Sequence, residues 1–198
     1  MKITAIKAQV KNAERVSIYV DGAYSFSLTQ NQLLEHRLRS GLELDADGLK
    51  KLQKASVRGK LLERALQYVM TRPRSEREVR DYMRRKEAES EVADDILRYL
   101  IEKKYIDDLA FAKSWIRNRQ AVKPVSTRRL TAELLQKGVA ASLIQQAVQS
   151  ESFSEEQSLC DIVAKKRKLS RYQDLQKLTA YLLRQGFSYD AIKKALAE

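Results

Sequence analysis

The residues of this chain best equipped for chemistry are its cations. Between positions 108 and 150 stand Lys113, Arg117, Arg119, Lys123, Arg128, Arg129 and Lys137, against two acids, Asp108 and Glu133, a local net charge of +5. The whole 198-residue chain carries +12, but elsewhere its basic residues are interleaved with acids able to pair with them at helical spacing. Arg72 and Arg74 flank the first proline, and Lys165, Arg167 and Arg171 repeat the basic theme further on. An excess this concentrated attracts a polyanion, and nucleic acid is the usual one inside a cell. Arginine grips phosphate and carboxylate alike, so these residues by themselves leave open a nucleic acid or an acidic nucleoprotein surface. The competing reading is a solvated basic face.

The remaining reactive side chains point away from catalysis. The one histidine, His36, lies in the expected short N-terminal helix, which weakens a His-dependent triad, and with a single cysteine, Cys160, the chain has the makings of neither a zinc site nor an intrachain disulfide. No G-x-x-x-x-G-K-[ST] or G-x-G-x-x-G segment is present to cradle a phosphate. Asp94-Asp95 and Asp107-Asp108 are acidic pairs of a kind that binds Mg²⁺, but at a helix start carboxylates serve more often as caps and dipole partners. The reading is therefore no enzyme, no cofactor and no metal. No apolar run approaches the roughly 20 residues of a membrane span, and the first residues lack the apolar core of a secretion signal. With a lone cysteine, this predicts a cytoplasmic protein with no membrane partner.

These residues need elements to hold them. Val16, Ile18 and Val20 alternate with Ser17 and Tyr19, Asp21-Gly22 follows, and Tyr24, Phe26 and Leu28 alternate with serines. Asp-Gly between two alternating runs predicts a β-hairpin, with Ile6, Ala8 and Val10 as a third strand. Thr29 is placed to cap a short helix carrying Leu33, Leu34 and Leu38, which Gly41 is placed to end. From Asp47 onward the pattern is helix and short loop, beginning with an apolar stripe through Leu49, Leu52, Val57, Leu61, Leu62, Ala65, Leu66 and Val69.

The helical part repeats itself. Arg72-Pro73-Arg74-Ser75 lies 51 residues before Lys123-Pro124-Val125-Ser126, and these hold the two prolines of the chain. The same offset aligns Arg77 with Arg128, Val79 with Leu130 and Met83 with Leu134; 48 residues further, Asp174 matches Ser126 and Leu182 to Gly186 matches Leu134 to Gly138. Ser75 with Glu78 makes a capping-box pattern. The fold class expected is mainly α: three tandem three-helix repeats in an elongated body behind a small α+β module with a hairpin. The expected divisions are 1–46, 47–107, 108–150 and 151–198. Between the first two repeats, Asp107 is placed to cap the next helix, followed by Phe111 and Trp115 at i, i+4, aromatics that read as core before they read as a base-stacking platform.

Three segments carry a resemblance: Arg72 to Val79; Tyr105-Ile106-Asp107-Asp108-Leu109-Ala110-Phe111-Ala112; and Arg128 to Val139. In succession they resemble the signatures of the RecX family over roughly residues 58–198, and the N-terminal module is similar to the extension of its longer members. Glu87 and Lys104 depart from it, standing where the family often has glycine, as does Val125-Ser126-Thr127 before the Arg pair. The resemblance implies a monomer lying in the groove of the RecA filament on single-stranded DNA. It also implies contact with DNA directly and restraint of RecA's ATPase and strand exchange. A stand-alone nucleic-acid-binding module with helix-turn-helix-like units is the alternative, and a metal-assisted nuclease using Asp107 and Asp108 the third.

Overall fold

The computed structural model describes residues 1–10, 12–151 and 153–197. These residues pack as two compact units: Met1–Tyr68 with Met83–Ile96, and Val69–Tyr82 with Leu97–Glu198.

In the first unit, strands β1 (Ile3–Ala8), β2 (Arg15–Val20) and β3 (Ala23–Thr29) form an antiparallel sheet in the order β1-β2-β3. The β2–β3 turn is the expected one, with Asp21 at φ 48° and Gly22 at φ 86°, the left-handed pair that a two-residue hairpin requires. The third strand lies earlier than its pattern predicts. A register shift between Ile3 and Ala5 turns Ile3 into the core, whereas Val10 lies beyond the strand and is fully exposed. Helix α1 (Gln30–Glu35) has the Thr29 cap, completed into a capping box by Gln32. It ends at His36, where Arg37 and not Gly41 supplies the left-handed residue after the helix, and Gly41, at φ 88°, serves a later turn. Leu52 of α2 (Ala46–Met70) joins Ile3, Ile18, Phe26 and Leu28 in the sheet's core. Val57, expected in the same stripe, faces solvent. Buried Arg15 donates to the carbonyl and hydroxyl of Ser27 and pairs with Glu63 on α2, so the polar group inside this core is satisfied.

The chain continues through α3 (Glu76–Arg85) and α4 (Ser90–Glu102), α5 (Asp108–Val122), α6 (Thr127–Gln136) and α7 (Ala141–Ser150), then α8 (Glu155–Arg167), a 3₁₀ turn at Ser170–Tyr172, α9 (Leu175–Arg184) and α10 (Tyr189–Ala197). The second and third sets have their own apolar centres. Phe111, Ile116, Leu130, Leu134 and Ile144 meet in one, and Leu159, Ile162, Leu178, Leu182 and Ile192 in the other. The aligned positions Leu130/Leu178 and Leu134/Leu182 are all fully buried, which is why the repeat is visible as apolar spacing.

Each repeat has at least one helix that stops in the same way. After α6 and α9, Gly138 and Gly186 adopt φ 86° and 92°, and the residue after each donates its N–H back to the carbonyl five residues earlier. Glu87 after α3 and Lys104 after α4 make the same turn at φ 55° and 61° without glycine. A left-handed residue with a side chain costs about 1 kcal/mol relative to glycine, a cost the surrounding packing covers.

Candidate nucleoprotein interface

The N-terminus of each middle helix is where the basic residues gather. Ser75 caps α3 by accepting from Glu78 N–H, and Ser126 caps α6 by accepting from Arg129 N–H. Both hydroxyls also donate. Ser75 donates to the carbonyl of Lys137 at 2.7 Å and Ser126 to that of Gln185 at 3.1 Å, in each case the residue before the glycine turn of the following repeat. A carboxylate from the following repeat completes each junction: Asp108 accepts from Glu76 N–H at 2.8 Å, and Glu155 from Thr127 N–H at 3.0 Å. The glycines permit this approach. A Cβ on Gly138 would lie 2.5 Å from Cβ of Arg77, and one on Gly186 would lie 2.4 Å from Oγ of Ser126. One cap hydroxyl, one carboxylate and one glycine thus weld the neighbouring repeats of this unit.

This arrangement settles the acidic pair. Asp107 caps α5 by accepting from Ala110 N–H, with Ile106 buried before it, and half-buried Asp108 reaches across to the start of α3. Burial raises the Asp108 carboxyl above its usual range, opposed by the Glu76 N–H and assisted by the charges of Glu76 and Asp107. Among the described residues, no group of three or more His, Cys, Asp and Glu side chains is gathered as metal ligands would be.

The acid-poor stretch is less bare in three dimensions than along the chain. Glu78 receives both terminal nitrogens of Arg72 at 3.1 Å and the Lys137 ammonium at 2.8 Å. Burial would raise its carboxyl, but the hydrogen bonds and charges of Arg72 and Lys137 outweigh it and hold Glu78 at about 2. The expected capping box is therefore half formed, because the Glu78 carboxylate is spent on these cations. Glu133 accepts from the Trp115 indole at 3.1 Å and from Nε of Arg119 at 2.8 Å, and pairs with Arg129 at 3.4 Å. Arg129 also donates to the carbonyl of Arg184 and the side chain of Gln185, so its unfavourable place at the start of α6 is offset by the C-terminal end of α9. Arg117 pairs with Glu151 at 2.8 Å.

The other basic residues are differently placed. Arg128 and Lys123 are exposed and Lys113 half-buried, and among the described residues none of the three has an ion-pair partner. Arg74 donates to the Thr71 hydroxyl. In the third repeat Lys165 is exposed, Arg167 donates to the carbonyl of Leu196, and Arg171 lies over the Tyr172 ring, whose neighbour Tyr181 holds Lys166 at 4.8 Å. Tyr105 is exposed, Phe111 is buried as expected, and Trp115 is half-buried at its edge. Sequence reasoning passed over Ser114 and Asn118, which line a cleft with Trp115, and over the organising role of Glu133. The i, i+4 spacings Trp115/Arg119 and Arg129/Glu133 were the available signals.

The fold and this surface define a tandem three-helix-repeat protein with a small sheet at its head and basic residues along its repeats. Family models for the RecX N-terminal domain and its first, second and third three-helix domains match residues 1–45, 62–100, 107–148 and 154–196. The chain belongs to the RecX family of regulatory proteins. It is 34% identical to regulatory protein RecX of Bacillus licheniformis over 99% of this chain and 76% of the relative. Against regulatory protein RecX of Listeria welshimeri it is 31% identical over 100% and 76%. A crystal structure of regulatory protein RecX superposes with TM-score 0.78 at 27% identity, covering 100% of this chain and 99% of that one. RecX from Lactobacillus salivarius, at 22% identity and TM-score 0.61 over 71% of this chain and 94% of that one, shares the fold. No helix among the described residues is long and apolar enough to cross a membrane.

Proposed function

We propose that this chain binds the RecA filament on single-stranded DNA as a monomer in the cytoplasm, and restrains RecA's ATPase and strand exchange during recombination and repair. Membership of the RecX family across all four modules carries this reading. The basic residues support it by their division of labour. Arg72, Arg117, Arg119, Arg129 and Lys137 are tied to carboxylates of the chain itself. Lys113, Lys123, Arg128, Lys165, Arg167 and Arg171 are the cations assigned to the filament, and Arg128 is the best placed, exposed on the first turn of α6.

The test is RecA ATPase on single-stranded DNA titrated with this protein. Substoichiometric protein lowers the rate, and Arg128→Glu raises the amount required. Protein that neither associates with the filament nor changes its ATPase refutes the reading. Tight, steeply salt-dependent binding to bare DNA with no effect of RecA would favour a stand-alone nucleic-acid-binding module instead.

A further inference from the structure

A cleft of about 330 Å³ opens beside α5, lined by Arg72, Phe111, Ser114, Trp115, Asn118 and Arg119. That is the lower end of the range for sites that enclose small ligands, roughly 300–1,000 Å³. Its walls are of three chemical kinds. Phe111 and Trp115 form an aromatic wall, their centroids 5.8 Å apart and their rings tilted by 35°. Ser114 and Asn118 offer a hydroxyl and an amide. Arg119 offers a guanidinium that is already oriented: Nε is held by Glu133 and the group lies 5.4 Å from the Trp115 centroid. Among the described residues, its two terminal nitrogens have no hydrogen-bond partner. The fork of Arg72, by contrast, is engaged by both oxygens of Glu78.

Charge favours an anion here. Arg72 and Lys137 share Glu78, while Arg119 and Arg129 share Glu133, so four cations surround two carboxylates. The Lys137 ammonium also lies 5.4 Å from the Trp115 centroid and Phe111 is buried, so an anion alone would use these cations and leave the open part of the half-buried indole unused. A nucleotide uses everything present: phosphate on the fork, base against the indole and guanidinium planes, base edge toward the Asn118 amide. We infer that this cleft seats one nucleotide of a single-stranded nucleic acid, stacked at Trp115 and held through its phosphate by Arg119. This deepens the filament reading by naming the contact to the strand, and its test omits RecA, so either can fail alone.

Trp115 is the single tryptophan of the chain, so its fluorescence reports this cleft directly. The purified full chain is titrated with a 20-nucleotide thymidine strand, with an abasic strand of the same length and charge, and with a poly-glutamate peptide, all at one ionic strength. The expected result is saturable quenching by the thymidine strand, with weaker binding and no quenching by the abasic one. Asn118→Glu, an exposed change that leaves the helix and its core alone, weakens thymidine-strand binding about tenfold. Arg119→Gln does likewise. Equal quenching by the abasic strand reduces the site to general charge attraction and overturns the proposal. Equal quenching by poly-glutamate, which assigns the cleft to an acidic protein segment, also overturns it, as does Asn118→Glu binding like the parent.

Discussion

Glu78 shows how much one carboxylate can hold. Its group sits at about 2 in the folded protein against an ordinary 4.5, because Arg72 and Lys137 both donate to it. A depressed acid contributes stability that is complete above the unfolded value and is lost as pH falls from about 4.5 through about 2. Allowing for the half-exposed Arg72, the contribution is about 2 kcal/mol. Glu78→Gln is predicted to lose that much at pH 7 and to flatten the acid limb of a denaturation series; an unchanged limb would disprove it. Asp108 has the opposite sign, since its raised carboxyl becomes easier to bury as it protonates. Asp108→Asn keeps an oxygen for the Glu76 N–H and is predicted to change stability by less than about 0.5 kcal/mol, while Asp108→Ala loses about 1 kcal/mol. Chemical denaturation at pH 7 separates the two.

Helix ends set the stability of the elements. Gly186→Ala meets both the positive φ and the Ser126 hydroxyl, whereas Gly22→Ala meets the positive φ in open space. The first is predicted to cost about 2–3 kcal/mol and the second about 1 kcal/mol, read as the difference between their thermal midpoints. Equal losses would mean that the junction yields freely. Glu87→Gly and Lys104→Gly relieve left-handed strain already present and are each predicted to stabilise by up to about 1 kcal/mol. Gly41 misplaced the end of α1, whereas the Schellman turns after α6 and α9 were legible from Gly138 and Gly186. At Glu87 and Lys104 they were not, since the strain is stored against a propensity that sequence reads as ordinary helix.

For the whole molecule, the junctions decide which cations remain for a partner. Arg128 and Arg129 are adjacent in sequence, yet Arg129 is bound to the next repeat and Arg128 points to solvent. Arg128→Glu is predicted to leave the unfolding midpoint within error while weakening filament binding and lowering its salt dependence. Arg129→Glu is predicted to cost about 2 kcal/mol before any partner is added. Thermal unfolding beside a filament-binding titration over several salt concentrations distinguishes them, and a stable Arg129→Glu would sink the assigned division.

Much of this protein could be read along the chain because its signals are local. The hairpin follows from Asp21-Gly22 between alternating runs, the caps from Thr29, Ser75, Asp107, Ser126 and Asp174, and the repeat from apolar positions that recur at fixed offsets. The concentration of positive charge was equally plain. What tertiary structure alone decided was the fate of each charge. Glu78 lies 59 residues from Lys137, and Glu151 lies 34 from Arg117. Pairings over such distances depend on how helices stack, which no local window contains. Folding turned a +5 stretch into a few outward cations, a set of welded junctions and a cleft beside Trp115, because opposite charges distant in sequence are brought within hydrogen-bond reach by the packing of apolar faces.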